Sequence, residues 1–154
     1  PSVAVLPVRG ASAGENTVVL QRHSRLLMRI PEASIDLVLA LCNTRLDLAG
    51  APVMLGGAKT RPLAPYATLY AHRVAALGDD EARFVKQVAA SLQDLGVSAD
   101  FVVGKRVVTR GPQGDIPGFS LMFSELSARQ SLALQVRGIG AHRGLGFGVF
   151  VGHK

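Results

Sequence analysis

The residues best suited to chemistry lie close to the end of the chain, in the stretch "GIGAHRGLGFGVFV" at 138–151. It carries five glycines together with two basic side chains. Glycine has no Cβ, so neighbouring backbone N–H groups can approach an anion closely, and an arginine fork can hold a phosphate through two hydrogen bonds. The pattern favours contact with a phosphate backbone, and a tight turn that binds nothing is the alternative. The candidate contacts here are Gly138, Gly140, His142, Arg143, Gly144 and Gly146.

This stretch differs from the two best-known nucleotide loops. A Walker A loop needs Gly-Lys-Ser or Gly-Lys-Thr at the start of a helix, and the chain contains neither triplet. The dinucleotide fingerprint needs a strand before the loop and a helix after it, whereas here a predicted helix precedes the loop. Arg143 also occupies the place of the third glycine. The pattern therefore favours an extended or folded nucleic-acid backbone over a single nucleotide.

The positive charge of the chain is concentrated in its last third. Residues 1–104 hold ten Lys or Arg and nine Asp or Glu, whereas residues 105–154 hold seven and two. The net charge of the two parts is thus +1 and +5, within a total of +6. Such asymmetry is typical of a surface that meets a polyanion, although a basic surface without a partner remains open.

Further basic residues can reach the same partner. In a strand, Arg106 and Arg110 share a face, and in a helix Arg129 and Arg137 are two turns apart. Aromatic residues make up only 5% of the chain and tryptophan is absent, which argues against a stacking platform for single strands. A double-stranded nucleic acid can be recognised through its shape and phosphates, and basic side chains suffice for that. The predicted nucleic-acid contacts outside the glycine-rich stretch are Lys105, Arg106, Arg110, Arg129 and Arg137.

Composition excludes several classes of protein. Hydrophobic residues make up 48% of the chain, which favours a packed core over disorder. The longest apolar runs, such as 37–42, are far too short to cross a bilayer, and no secretory signal is recognisable. Cys42 is the only cysteine and fits a reducing cytoplasm. With four scattered histidines there is no zinc-ligand spacing, so we expect neither metal nor cofactor.

The second half of the chain predicts the element order β-α-β-β-α-β, which is the ferredoxin-like (RRM-like) plan. Asp79 and Asp80 offer an N-cap for the first helix, and Gly96 offers its C-terminal glycine. Ser127 and Gln130 form a capping box for the second helix. The predicted strands are 66–77, 100–110, 118–126 and 148–154, and the predicted helices are 80–96 and 127–138.

The first half predicts β-β-α-β, a ferredoxin-like unit without its first strand and helix. Strands are expected at 2–8 and 17–30, a helix at 32–43 behind Pro31, and one strand or a short hairpin at 44–57. We therefore predict an α+β fold of tandem ferredoxin-like units. The first is the incomplete 1–62, and the second is 63–154. We expect the first unit to lack an N-terminal piece on the order of 30–50 residues, and an unusual minimal fold with a processed start is the alternative.

The tandem plan and its glycine-rich ending resemble a known family. "GLGFGVFV" after a helix that begins "ELSARQSLALQ", and "HSRLLMRIP" ahead of "LDLAGAPVMLGG", are similar to CRISPR RNA-processing endoribonucleases of the RAMP superfamily. The second pair of motifs resembles a subgroup associated with type I CRISPR systems. The resemblance covers essentially the whole chain and begins inside the family's N-terminal unit.

The resemblance implies an activity and a set of partners. Such enzymes cut precursor CRISPR RNA beside a repeat hairpin by metal-independent attack of a 2′-hydroxyl on the adjacent phosphate, with a histidine in proton transfer. They often stay bound to the 3′ hairpin, together with other subunits of an effector complex. The family's catalytic histidine lies near the first helix of the N-terminal unit, and no residue here matches it. The catalytic residue is therefore unknown.

The sequence predicts different roles for the four histidines of the chain. His23 lies in a predicted strand between Arg22 and Arg25, where a solvated position is favoured. His72 shares a strand face with Tyr70, and a half-exposed strand position is favoured. His142 is the one histidine placed to meet a scissile phosphate and is the better candidate for an RNA contact. His153 is terminal and is expected to be uninvolved.

Two other functions remain open at this point. The chain could be a binding-only subunit that holds an RNA hairpin in a CRISPR complex without cutting it. It could also be a ferredoxin-like regulatory domain that binds a small metabolite. RNA affinity that falls steeply with salt would separate the first two functions from the third.

Overall fold

The computed structural model describes residues 3–8, 10–14, 17–21, 23–48 and 50–153 of the chain. The ends of the first and last predicted strands, Ser2 and Lys154, lie outside the described residues. The strands are β1 (Ala4–Val5), β2 (Ala11–Ser12), β3 (Val18–Val19), β4 (Met28–Arg29), β5 (Arg45–Leu48), β6 (Ala51–Met54), β7 (Leu69–Ala75), β8 (Phe101–Gly111), β9 (Gly114–Phe123) and β10 (Val151–Gly152). The α-helices are α1 (Ile35–Leu39), α2 (Glu81–Leu95) and α3 (Ala128–Arg137), with 3₁₀ turns at Glu32–Ser34 and Arg143–Leu145.

The second half folds as the ferredoxin-like plan requires. Its four strands form one antiparallel sheet in the order β10-β7-β9-β8, and the elements follow one another as β7-α2-β8-β9-α3-β10. Each strand–helix–strand unit therefore skips one position in the sheet, which is the split arrangement of this fold. The α+β ferredoxin-like prediction is confirmed. Residues 55–68 contain neither strand nor helix, and the division at 62/63 stays a prediction.

The core lies between this sheet and the two long helices. Phe84, Val88 and Leu92 follow one another at helical spacing on α2 and are buried. They belong to one cluster with the alternate β9 residues Phe119, Leu121 and Phe123 and with Leu134 of α3. These residues anchor α3, whose C-terminal end leads into the glycine-rich stretch.

Local capping chemistry sets the ends of both helices. The Asp80 carboxylate accepts hydrogen bonds from the backbone N–H groups of Ala82 and Arg83 at the start of α2, and Gly96 closes that helix with φ of 63°. At α3, the Ser127 hydroxyl accepts from the Gln130 N–H while the Gln130 Oε1 accepts from the Ser127 N–H at 2.8 Å. Both predicted caps are confirmed, and the second fixes where α3 begins.

Loss of the α3 capping box should weaken the fold. In Ser127→Ala the Gln130 backbone N–H loses its acceptor, so we expect the free energy of unfolding to fall by about 1 kcal/mol. Urea denaturation followed by circular dichroism measures the change. Ser127→Asp keeps an acceptor at the cap and should retain most of the stability. Equal losses in the two variants would contradict the role assigned to the cap.

The first half is less regular than the sequence predicts. The expected long strand over 17–30 is two short strands, because the chain turns at Gln21–Ser24, where the Gln21 N–H donates to the Ser24 hydroxyl at 3.0 Å. The β1–β4 and β2–β3 pairs together make an interrupted hairpin. The predicted helix over 32–43 is a 3₁₀ turn followed by the five-residue α1. Of the two options for 44–57, the hairpin β5–β6 is the one that forms.

Candidate nucleic-acid interface

The residues from 138 to 148, here called the glycine loop, connect α3 to the last strand pairing. The backbone takes left-handed φ values at Gly138, Gly140, His142, Gly146 and Gly148. The Gly148 N–H donates to the Arg73 carbonyl at 2.8 Å, so pairing with β7 begins as soon as the loop ends. The loop is thus a defined turn against the central sheet.

Three of the glycines are required by close packing. A Cβ on Gly148 would collide with the backbone carbonyl of Ile139, and one on Gly138 would collide with the Arg143 guanidinium and the Gly148 carbonyl. A Cβ on Gly146 would lie 2.9 Å from the Val5 carbonyl oxygen. The sequence pattern favours ligand binding as the reason for the excess of glycine. For these three positions the reason is instead packing within the loop and against the N-terminal hairpin.

Other parts of the loop face outward. Gly140, His142, Gly144 and Leu145 are exposed, while Phe147 is fully buried beneath them. Gly144 has ordinary φ, and a methyl group added there would have no atom within 4 Å. Its lack of a side chain is therefore not explained by packing. The exposed segments are the part of the loop that a polynucleotide could touch.

Arg143 does not project from this surface. Only 9% of the residue is exposed, and its Nε and Nη1 atoms have no hydrogen-bond partner among the described residues. Burial lowers its pKa from the usual value. The guanidinium still carries its charge at neutral pH, because arginine titrates far above it. Burying a charge without a hydrogen-bond partner lowers the stability of the folded state, so a partner for this guanidinium is expected.

Arg29 lies beside Arg143 and is half-buried. Its guanidinium donates to the Gln135 backbone carbonyl at 3.0 Å and to the Phe150 carbonyl, which ties β4 to α3 and to the final strand. Burial, with the nearby positive charge of Arg143, lowers the pKa of Arg29 to about 10. No sequence signal marks Arg29 in advance, since its partners are more than 100 positions away.

A third sheltered arginine, Arg73, is likewise not marked by the sequence pattern. Its guanidinium lies over the ring of Phe147, 5.2 Å from its centre, and donates to the Thr109 hydroxyl at 3.1 Å. Burial lowers its pKa from the usual value. The cation on the aromatic face and the hydrogen bond together hold Phe147 under the glycine loop. Arg73 therefore supports the shape of the loop.

The cations of β8 are exposed and lie at one edge of the sheet. Arg106 pairs with Phe119 and Arg110 with Asp115 in the β8–β9 register, so the two arginines share a face. Arg106 also forms an ion pair with Asp79 at 2.6 Å, in which both side chains are about half exposed. Such a surface pair contributes little to stability and leaves the arginine available to exchange partners.

Lys105 is placed by a bulge. The registers of β7 and β8 against β9 both shift between Leu121 and Phe119, so two bulges flank Ser120. Gly104 permits the bulge in β8, because a Cβ there would collide with the Ser120 hydroxyl. Bulges redirect side chains at functional edges, and this one presents Lys105 to solvent.

The predicted contacts fall into two groups. Arg129 and Arg137 are exposed at the two ends of α3, and Arg137 leads directly into the glycine loop, which carries the exposed His142. Lys105, Arg106 and Arg110 belong to β8, which lies at the opposite edge of the sheet from β10. The structure thus places α3 and the loop together and sets the β8 cations apart.

The histidines do not gather around one point. His23 is exposed in the turn between β3 and β4, so its predicted strand position is wrong, and its neighbour Arg22 lies outside the described residues. His72 packs edge-on against Tyr70 with ring centres 4.9 Å apart, as the predicted shared face requires. The ring of His153 also lies near Tyr70, with ring centres 5.8 Å apart. His142 contacts the buried Phe147 ring at 6.1 Å.

Metal clusters and membrane-spanning helices are both missing from the described ranges. Over the part of the chain that the structure describes, no group of three or more His, Cys, Asp or Glu residues could hold a metal ion. None of the helices within those residues has the length and apolar content needed to cross a bilayer.

The fold and the site together define a class of protein. It is a ferredoxin-like protein that has a glycine loop and exposed basic residues on α3 and β8. A family model described as "Cas6 Crispr" matches residues 1–154, and the chain belongs to the Cas6 family. It is also 33% identical over 150 residues to a protein of Myxococcus xanthus (strain DK1622) named "CRISPR-associated endonuclease Cas6". The matched region is 97% of this chain and 65% of that relative's length.

Proposed function

We propose that this chain is the RNA-holding part of a metal-independent endoribonuclease that cleaves precursor CRISPR RNA at the repeat hairpin. Membership of the Cas6 family across all 154 residues is the observation that carries the proposal. The name of the Myxococcus relative supports an endonuclease, and the charge excess in the last third supports a polyanionic substrate. We place the protein in the cytoplasm, where CRISPR transcripts are made.

The proposed RNA surface is centred on α3 and the glycine loop. Arg129, Arg137 and His142 are exposed there and can reach phosphates, and the bare backbone at Gly140 and Gly144 allows close approach. The β8 cations, at the opposite edge of the sheet, form a second and separate basic patch. An A-form hairpin read by shape fits a surface rich in cations and poor in exposed aromatic side chains.

Cleavage itself can be tested directly. We expect the natural full-length protein, incubated with end-labelled repeat RNA in EDTA, to make a single cut and leave a 2′,3′-cyclic phosphate, because the 2′-hydroxyl is the attacking group. Replacing the 2′-hydroxyl at the cut site by hydrogen should abolish the product without loss of binding. Binding without any cut of the unmodified RNA would instead support a subunit that only holds the hairpin.

We also propose that the protein stays on the 3′ hairpin after the cut and takes part in an effector complex. A surface that binds through shape and phosphates meets the same hairpin before and after cleavage, so product and substrate affinities should be similar. Equal dissociation constants for uncut and cut repeat RNA would support retention. A product that dissociates far more readily would count against it.

A further inference from the structure

The most unusual feature outside the exposed RNA surface is a pair of neighbouring arginines, the half-buried Arg29 and the buried Arg143. They line a cavity of about 170 Å³ together with Ile30, Pro31, Leu63, Gln135 and Val136. That volume is many times what one water needs. The cavity lies where β4, α3 and the glycine loop meet, so residues from both halves of the chain form its wall.

Among the described residues, none neutralises the positive charge in this cavity. The ion pair Arg106–Asp79 is the one salt bridge found among the described residues, and no carboxylate lines the cavity. Arg29 uses part of its donor capacity on the Gln135 and Phe150 carbonyls. The Nε and Nη1 donors of Arg143 meet no acceptor on the described residues. Two neighbouring guanidiniums that are partly withdrawn from water repel each other unless an anion joins them.

We infer that Arg29 and Arg143 form an anion site that takes one phosphate group, and that this phosphate completes the contact between the N-terminal hairpin and the glycine loop. Planar guanidinium forks suit the tetrahedral oxygens of phosphate. Leu63 and Val136 are exposed and Pro31 is partly buried, so the pocket opens to solvent on the side where a phosphate would enter. The Gln135 side chain, held by the Ala64 carbonyl at 2.8 Å, fixes one side of the pocket.

The source of the phosphate follows from the proposed function, on which this step rests. A phosphodiester of RNA lying along α3 would pass the mouth of the cavity, since Gln135 and Val136 belong to the last turn of that helix. Free phosphate offers the same chemistry. Engagement of a backbone phosphate would couple RNA binding to the packing of β1 and β4 against the loop.

Thermal unfolding with added inorganic phosphate tests the site. At tenfold its dissociation constant, phosphate should raise the midpoint of the wild-type chain by roughly 4 °C over chloride of equal ionic strength, because it binds only the folded state. Arg143→Met keeps much of the volume but removes the charge, and it should show no such rise. Arg83→Met, an exposed change of the same type on α2, should respond as the wild type does.

The outcomes separate the possibilities. If phosphate raises the unfolding midpoint equally in Arg143→Met and Arg83→Met, the rise is a general effect of the salt on protein stability. That result would overturn the site. An equal rise with acetate would also overturn it, because the pocket would then not distinguish phosphate from a carboxylate. If Arg143→Met does not fold, Arg143→Lys keeps the charge without the fork and should lose at least half of the rise, and a full rise there would contradict the inference.

The second part of the experiment repeats the thermal unfolding with repeat-hairpin RNA bound to the protein. If the RNA backbone fills the site, the RNA complex should gain no further stability from phosphate, whereas a persisting rise supports the anion site with free phosphate as its ligand. RNA binding without any phosphate effect overturns the site and leaves the proposed function intact. A phosphate effect in a protein that binds no RNA supports the site and refutes the function.

Discussion

Replacing Gly148 with alanine should lower the free energy of unfolding by about 3 kcal/mol. Gly148 has φ of 62°, a region in which alanine is strained by roughly 1–2 kcal/mol. Its new methyl group would also collide with the Ile139 carbonyl, and backbone cannot move aside as a flexible side chain can. Overpacking of this kind adds about 1–3 kcal/mol. Urea denaturation followed by far-UV circular dichroism measures the loss.

Gly144→Ala is the matched control for this prediction. Gly144 lies in the same loop, is exposed, has ordinary φ and has open space where the methyl group would go. Its free energy of unfolding should stay within about 0.5 kcal/mol of the wild type. If its RNA affinity falls while stability holds, close approach of RNA to the loop is supported. Similar losses of stability at the two positions would contradict the packing described for the loop.

The parts of the fold that could be predicted from sequence depend on local chemistry. Asp80, Gly96 and the Ser127–Gln130 box sit within a turn of the helix ends that they fix, so their spacing alone identifies α2 and α3. Alternation along β9 likewise places Phe119, Leu121 and Phe123 in the core. The order of these elements then allows few topologies, and the ferredoxin-like plan is the one that forms.

The parts that could not be predicted depend on contacts between distant positions. Arg143 is buried against Gly138, five residues earlier, and beside Arg29 of β4. No periodicity in the sequence predicts that Arg29 lies there. In the first half, short strands and exposed apolar residues such as Leu37 and Met54 show that local pattern alone does not produce long regular elements there. The glycine-rich motif identifies the right loop, but which of its cations are buried and which are exposed depends on these distant contacts.

The α3 arginines should carry a large share of RNA affinity. Arg129 and Arg137 are exposed and lie two turns apart on the helix that leads into the loop, so each can neutralise one phosphate. In the double variant Arg129→Gln/Arg137→Gln, the slope of log affinity against log salt should fall by about 2, and affinity for the repeat hairpin at about 0.1 M salt should fall roughly 50-fold. Fluorescence anisotropy over a series of salt concentrations measures both quantities.

A change of equal charge elsewhere makes this result specific. Arg83→Gln/Lys86→Gln removes two exposed cations from α2, which lies outside the proposed surface. General attraction between a basic protein and RNA would weaken equally in both double variants, because long-range steering depends on net charge. Direct phosphate contacts would lower the slope only when α3 is changed. Equal slopes and affinities in the two variants would therefore remove α3 from the RNA surface, and they would leave the β8 cations as the remaining candidates.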